Sequence, residues 1–215
     1  DWHRPPMKHQ PVGAHSPPND IGSTYYPSLG AYSSNDPVVM EQHMAWIHQM
    51  GAGVVCLSWW GRFTGDAQMR SGDEGFTDKT VPMLLDAAAR HGLTVNFHLE
   101  PYPGRSASSV VEDVKYLLAE YGAHPAFHRD TLSARRLPVF YVYDSYLIPE
   151  RDWAAVLKPG TRNSVRGTAH DGVFLGLIVD KAHRQSLVNA GFDGMYTYFA
   201  SDGFSHGSTT ARWRE

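Results

Sequence analysis

The chain has 215 residues, of which 42% are hydrophobic and 12% aromatic, and its formal net charge is −3. This length and composition are sufficient for one folded domain with a substantial hydrophobic core. The 19 Lys and Arg residues are balanced by 22 Asp and Glu residues and form no basic run, so a nucleic-acid partner is not predicted.

Residues 1–35 are rich in Pro, Gly, Ser and Asn, which predicts an irregular N-terminal loop rather than a helix or a strand. The chain begins with Asp1 rather than Met, so we expect it to start inside a longer protein. No stretch reaches the ~18 apolar residues that a membrane-spanning helix requires, and the N-terminus lacks the apolar core of a signal peptide.

The first predicted helix follows this loop. Asp36 is an expected N-cap, Pro37 suits the first helical position, and Gly51 ends the pattern. The side chains expected near one stripe of this helix are Val39, His43, Ile47 and Met50. The next run, "GVVCLSWW", is typical of a strand that is covered on both faces, with Cys56 as a small core residue.

Helices and strands then alternate. The helix "TDKTVPMLLDAAARHG", which Thr77 or Asp78 would cap, precedes the strand "LTVNFHLE". The cycle repeats with the strands "LPVFYVYDS", "GVFLGLIVD" and "DGMYTYF", a pattern that predicts βαβ units on a parallel sheet. Five such strands fit either an open doubly wound sheet or part of a (β/α)8 barrel, which usually takes ~250 residues.

Polar and aromatic side chains are concentrated where four of the predicted strands end, in "SWWG", "FHLEPY", "YVYDSY" and "YTYF". Because the carboxyl ends of parallel strands lie at one edge of a sheet, we expect these segments to form one site. The aromatic side chains expected there are Trp59, Trp60, Tyr102, Tyr143, Tyr146, Tyr196 and Tyr198. The hydrogen-bonding ones are His98, Glu100 and Asp144. Flat aromatic faces beside hydrogen-bonding groups suit a sugar.

Alternation along "LTVNFHLE" predicts a polar face, which would line the interior of a barrel and consists of Thr94, Asn96, His98 and Glu100. One of Trp59 and Trp60 is expected in the core, because neighbours on a strand point to opposite faces. Glu100 could also be a structural buried carboxylate bonded to its neighbours.

No nucleotide-binding or zinc-protease motif is present, and the 12 His have no convincing ligand spacing, so no cofactor or metal is predicted.

Several segments, in this order along the chain, resemble glycoside hydrolase family 99, the endo-α-1,2-mannosidases. They include "LSWWG", "FHLEPY", "HPAF", "LPVFYVYDSY", "GFDGMYTYFASDGF" and "HGSTTARW". The resemblance implies a (β/α)8 TIM barrel, incomplete here with about five of its eight strands, occupying residues 36–215. It also implies that His98, Glu100, Tyr102, Tyr196 and Tyr198 line sugar subsites and that Trp60 shapes the subsite beyond the cleaved sugar. The form "WWG" is similar to that of bacterial relatives and leaves the choice between a glucosylated and a plain mannosyl donor open.

The resemblance implies retaining hydrolysis of internal α-1,2-mannosidic bonds in high-mannose or glucosylated N-glycans, without a metal. One catalytic glutamate would act on the sugar's own 2-hydroxyl and the other would be the general acid. Both are expected beyond Glu215, so this portion alone should be inactive and Glu100 should be a supporting carboxylate. We expect the full-length protein to be a type II membrane-anchored enzyme of the Golgi lumen, held to the membrane only through an anchor absent from this sequence.

Two other interpretations stay open. The chain could be a catalytically inactive remnant that binds mannosides, although a barrel that lacks strands has open edges that favour aggregation. It could also belong to an unrelated barrel enzyme such as a Schiff-base aldolase, which needs a lysine at a strand end. Lys181 alone lies near such an end.

Overall fold

The structure is a computed structural model that describes residues 25–62, 76–199 and 201–212. Its helices are α1 (Pro37–Gln49), α2 (Phe76–Arg90), α3 (Ala107–Tyr121), α4 (Glu150–Leu157) and α5 (His183–Ala190). Its strands are β1 (Val54–Trp59), β2 (Thr94–Leu99), β3 (Val139–Val142), β4 (Val173–Leu177) and β5 (Gly194–Tyr196). Short 3-10 turns lie at Ser145–Leu147 and Thr210–Arg212.

The five strands form one sheet in the order β1-β2-β3-β4-β5, and every neighbouring pair is parallel. Each strand therefore pairs with the next one along the chain. This is the order of a (β/α)8 barrel, whereas the order of a doubly wound sheet reverses at a switch point. The predicted barrel class is confirmed, with five of its strands in the described residues.

The register of the sheet aligns polar residues of neighbouring strands. Ser58 lies opposite His98, and His98 lies opposite Tyr141. On the other face of β2, Val95 and Phe97 are fully buried against the helices. The alternation predicted for β2 is therefore confirmed, because the apolar face meets the helices and the polar face lines the interior of the sheet.

Helix α1 begins as predicted. The Asp36 carboxylate accepts a hydrogen bond from the Val38 N–H at 2.9 Å, and Pro37 occupies the first turn. The predicted stripe holds only in part: Val39 is buried and Ile47 packs against the core, but Met50 is 76% exposed, whereas Met40 and Met44 are buried. The face that packs on the rest of the core follows the i, i+4 spacing of these two methionines, one residue away from the predicted one.

The predicted cap of α2 was also wrong. The helix begins at Phe76, so Thr77 and Asp78 lie within its first turn. The carboxylate of Asp78 accepts a hydrogen bond from the Trp59 indole N–H at 3.0 Å. The side chain is therefore drawn to a long-range partner on β1 that the local sequence does not reveal.

Strand β1 is covered on one face only. Val54 and Cys56 are exposed, while Trp59 is 1% exposed and lies in the core. The predictions of a doubly covered strand and of a core Cys56 were therefore wrong, because β1 is an edge strand of the described sheet and its inner face is open. Trp60 is half-buried, which confirms that one tryptophan of the pair is a core residue.

Residues 25–35 contain turns and neither a helix nor a strand, as predicted for that part of the N-terminal loop. The rest of that loop, residues 1–24, lies outside the described residues, and the boundary at residue 36 stays a prediction. Within the described ranges, no helix has the length and apolar character needed to cross a membrane.

Candidate functional site

Glu100 lies at the centre of a polar cluster at the carboxyl ends of β1 and β2. Its side chain is nearly buried, and Oε1 accepts a hydrogen bond from Ser58 Oγ at 2.5 Å. His98 Nδ1 lies 2.7 Å from the same oxygen. The pairing of β1 with β2 produces this arrangement, because it puts Ser58 directly opposite His98.

The other nitrogen of His98 contacts β5, since Tyr196 Oη lies 2.8 Å from His98 Nε2. Glu100 Oε1 is the acceptor in this cluster, so His98 Nδ1 is assigned as its donor, and Nε2 then accepts from the tyrosine. Burial, followed by the negative charge of Glu100, raises the pKa of Tyr196 well above its ordinary value. Its hydroxyl therefore stays protonated and donates, which gives a chain of hydrogen bonds from Tyr196 through His98 to Glu100.

Aromatic rings surround His98. The ring centroid of Tyr143 lies 5.1 Å from that of His98, and the centroid of Tyr196 lies 5.6 Å away. Tyr141 and Tyr196 meet edge to face at 5.0 Å, as do Tyr143 and Tyr198 at 5.4 Å. Tyr198 is 45% exposed, so it forms the outer rim of this aromatic wall.

Tyr102 behaves differently from these tyrosines. Its hydroxyl oxygen lies 2.6 Å from Asp113 Oδ2 and 2.7 Å from Ser109 Oγ, both on α3. Burial and then the Asp113 carboxylate raise the pKa of Tyr102 to about 12. The hydroxyl is thus bonded to the helix behind the strand end and not to the pair formed by His98 and Glu100.

Asp144 follows β3 in the left-handed backbone conformation, with φ 49°. Its backbone oxygen accepts from Arg105 Nη2 at 3.0 Å, and burial, followed by the Asp144 carboxylate, raises the pKa of Tyr146. The Tyr146 ring stacks on His183 with centroids 4.8 Å apart. Tyr146 therefore joins a separate pair at the edge of the site.

The structure brings together five of the predicted site residues, namely His98, Glu100, Tyr143, Tyr196 and Tyr198. Trp60 and Asp144 follow β1 and β3, on either side of β2, and the Tyr102 hydroxyl is turned to α3. The substrate-binding roles of these residues stay predictions.

Two polar residues of the site were not predicted individually. Ser58 lies within "SWWG", but its bond to Glu100 depends on the register between two strands, which one strand's sequence does not encode. Arg105 connects the ends of two strands by donating to Leu99 O at 3.4 Å and to Asp144 O at 3.0 Å. Its place in the loop directly after a strand end was the available signal, and burial lowers its pKa.

These features define a class of protein. A sequentially ordered parallel sheet carries, at the carboxyl ends of its strands, a carboxylate, an imidazole and tyrosine rings, the combination suited to a ligand with hydroxyl groups and an apolar face. Within the described residues, no group of three or more His, Cys, Asp or Glu side chains is arranged to hold a metal ion. The class is that of the carbohydrate-active barrel proteins.

Comparisons with known proteins identify the family. The family described as "Glycosyl hydrolase family 99" matches residues 1–215. A zebrafish (Danio rerio) glycoprotein endo-alpha-1,2-mannosidase-like protein is 49% identical over 95% of the chain. A rat (Rattus norvegicus) glycoprotein endo-alpha-1,2-mannosidase is 43% identical over 100% of it. The chain belongs to glycosyl hydrolase family 99, as its motifs indicated.

A solved structure agrees with this assignment. The GH99 endo-alpha-mannosidase from Bacteroides thetaiotaomicron superposes with a TM-score of 0.83 at 39% identity and covers 99% of the chain. The match covers 59% of that bacterial chain, 45% of the zebrafish protein and 47% of the rat protein. The chain thus spans about half the length of the curated relatives it matches.

Proposed function

We propose that the protein containing this chain is an endo-acting glycosidase that cleaves internal α-1,2-mannosidic bonds. The observation that carries the proposal is the hydrogen-bonded chain Tyr196, His98 and Glu100 beside the tyrosine wall, in a chain that belongs to a glycosyl hydrolase family. The names of the rat and zebrafish relatives support the linkage. In this proposal the described residues form one wall of the sugar-binding cleft.

Glu100 is proposed to bind the sugar and not to transfer the catalytic proton. Its Oε1 already accepts from Ser58 and faces His98 Nδ1, so the carboxyl group is arranged as a hydrogen-bond acceptor. Among the described residues, Oε2 accepts no hydrogen bond and is suited to a sugar hydroxyl. The acid and base of retaining hydrolysis are then a separate glutamate pair that acts through the sugar's 2-hydroxyl, a proposal that rests on the family resemblance.

The proposed substrates are high-mannose N-glycans, with or without a terminal glucose. The support for a glycoprotein substrate is the printed name of the rat relative, a glycoprotein endo-alpha-1,2-mannosidase. The half-buried Trp60 at the end of β1 is the residue proposed to favour one donor over the other. A membrane-anchored location in the Golgi lumen belongs to the same proposal and has the family resemblance as its support.

The test uses the protein at the full length its gene encodes. It is incubated with an α-1,2-linked mannose oligosaccharide and with an α-1,6-linked oligosaccharide of equal length, and the products are separated by chromatography. We expect an oligosaccharide to be released from the α-1,2-linked substrate alone. Release of single mannose units, or equal cleavage of both linkages, would contradict the proposal.

A second candidate function is binding of mannosides without cleavage. It is favoured by the position of Glu100, which is arranged as a hydrogen-bond acceptor rather than as an acid. Isothermal titration with the α-1,2-linked oligosaccharide distinguishes the two functions. Binding without product over a long incubation would support the second, whereas cleavage would exclude it.

A further inference from the structure

Helix α3 carries a polar stripe formed by Ser109, Asp113 and Tyr116. These residues have the i, i+4 and i+7 spacing that brings side chains to one face of a helix. Asp113 is 8% exposed, and burial raises its pKa. A carboxylate buried beside a site and outside its central cluster needs partners that repay the loss of hydration.

The partners of Asp113 come from the loops that follow β1 and β2. Tyr102 Oη lies 2.6 Å from Asp113 Oδ2, and Arg62 Nε lies 3.6 Å from Asp113 Oδ1. Arg62 also donates to the Glu112 backbone oxygen, and its guanidinium carbon lies 4.9 Å from the ring centroid of Tyr116. One carboxylate on α3 therefore holds both strand-end loops.

A second buried carboxylate extends this contact to the tryptophan pair. Asp78 Oδ2 accepts from Tyr116 Oη at 2.7 Å, and Asp78 Oδ1 accepts from Trp59 Nε1 at 3.0 Å. Trp60 is the next residue after Trp59, and its backbone N–H bonds Thr77 Oγ1 at 3.4 Å. The α3 stripe is thereby connected to both ends of the site, to Trp60 on one side and to Tyr102 on the other.

We propose that Asp113 is a positioning residue for the sugar site: it fixes the spacing between the wall that ends β1 at Trp60 and the wall that ends β2 at Tyr102. The proposal rests on the proposed function, because the spacing matters only if a ligand spans both walls. A role confined to packing does not explain why the Tyr102 hydroxyl and the Arg62 guanidinium both contact the Asp113 carboxylate. Small errors in such spacing lower the rate of a reaction that requires a precisely held substrate.

The experiment is a double-mutant cycle in the full-length protein with Asp113→Asn and Tyr102→Phe, assayed on the α-1,2-linked oligosaccharide. Both substitutions keep the shape of the side chain, and Tyr102→Phe removes only the hydroxyl that faces Asp113. We expect each to lower kcat/KM by about tenfold, mainly through a higher KM. We expect the double variant to lose no more than Asp113→Asn alone, because Tyr102→Phe removes one of the two contacts that the Asp113 carboxylate makes.

The matched control is Glu120→Gln, which makes the same chemical change at an exposed position of α3. It should leave kcat and KM unchanged. Thermal unfolding of all variants separates the roles, since a purely structural Asp113 would lower Tm and leave KM untouched at lower temperature.

The outcomes separate this proposal from the proposed function. If the unaltered protein neither binds nor cleaves the oligosaccharide, both proposals fall. If it is active and Tyr102→Phe retains its KM and kcat, the positioning role alone is overturned, and this result stands even if Asp113→Asn fails to fold. Losses that add in the double variant would also overturn it, because they would show two independent contacts.

Discussion

Two polar clusters lie at opposite ends of the same sheet, and they differ in what they leave unpaired. At the amino ends of β4 and β5, the Arg166 guanidinium donates to both Asp171 and Asp193, at 3.2 and 2.9 Å. It also donates to three backbone oxygens, those of Leu157, Gly172 and Gly191. The three nitrogens of the Arg166 guanidinium thus all donate to acceptors within the chain, as expected of a structural ion cluster.

The cluster at the carboxyl ends of β1 and β2 is not closed in this way. Both contacts of Glu100 fall on Oε1, and among the described residues Oε2 accepts no hydrogen bond. Tyr198 beside it is 45% exposed. A polar cluster therefore stabilises the fold when all its groups are paired within the chain, whereas a cluster with an unpaired acceptor is suited to a ligand.

The largest expected effect is on the closed cluster. Arg166→Met should lower the free energy of unfolding by about 3–5 kcal/mol, because it leaves Asp171 buried and short of a partner. Chemical denaturation measures this. Arg151→Met is the control, since the Arg151 side chain is 88% exposed and its one ion pair among the described residues is with Asp152 at 3.5 Å, and it should cause no measurable change. Equal losses in the two variants would show that the Arg166 cluster is not structural.

The next effect concerns the open cluster and should appear in binding. Glu100→Gln should weaken the affinity for the α-1,2-linked oligosaccharide about tenfold, because a charged acceptor is lost. The free energy of unfolding should change little. Isothermal titration and denaturation of the same samples measure both quantities, and Glu150→Gln at the exposed start of α4 is the control. Lost stability with unchanged affinity would instead establish Glu100 as a structural carboxylate.

A smaller effect is the pH dependence of the closed cluster. Burial raises the pKa of Asp171, but hydrogen bonds from the Gly167 N–H, Arg135 and Arg166 outweigh it, so the pKa lies below the ordinary value. The unfolded chain then binds more protons than the folded chain, and the stability from Asp171 is present above pH ~4 and lost as the pH falls further. Denaturation midpoints between about pH 3 and pH 7 should fall more steeply in the unaltered protein than in Asp171→Asn. Equal slopes would contradict this origin.

The sequence was sufficient for features that depend on neighbouring residues. The Asp36 cap follows from local chemistry, and the alternation of β2 follows from the two-residue repeat of a strand. The same alternation put His98 and Glu100 on one face, which the structure confirms. The parallel sheet followed from the repeated order of strands and helices.

Features that depend on contacts between distant residues could not be predicted from the sequence. The bond from Ser58 to Glu100 joins residues 42 apart and requires the register of two strands. Local sequence predicts Asp78 as a cap, whereas its partner, the Trp59 indole, is a tertiary contact. The exposure of Cys56 likewise depends on what packs against the inner face of β1, and not on the apolar character of β1 itself.

The smallest predicted effect tests whether the open cluster acts through its chain of hydrogen bonds. Tyr196→Phe removes the hydroxyl that lies 2.8 Å from His98 Nε2 and keeps the ring that packs against Tyr141. The affinity for the α-1,2-linked oligosaccharide should fall by about threefold, the value of one neutral hydrogen bond. The control is Tyr32→Phe, because the Tyr32 ring contacts His43 on α1, and this substitution should not change the affinity.

The direction of the change in stability completes this test. Removing a hydroxyl from a closed cluster destabilises the fold, because the partner is left buried and unpaired. In the open cluster, His98 Nε2 can instead accept from water or from a sugar hydroxyl, so Tyr196→Phe should leave the free energy of unfolding nearly unchanged. If Tyr196→Phe instead lowers the stability and keeps full affinity, Tyr196 and His98 are structural residues like the Arg166 cluster. Glu100 Oε2 would then be the one acceptor in this cluster that is proposed to bind the sugar.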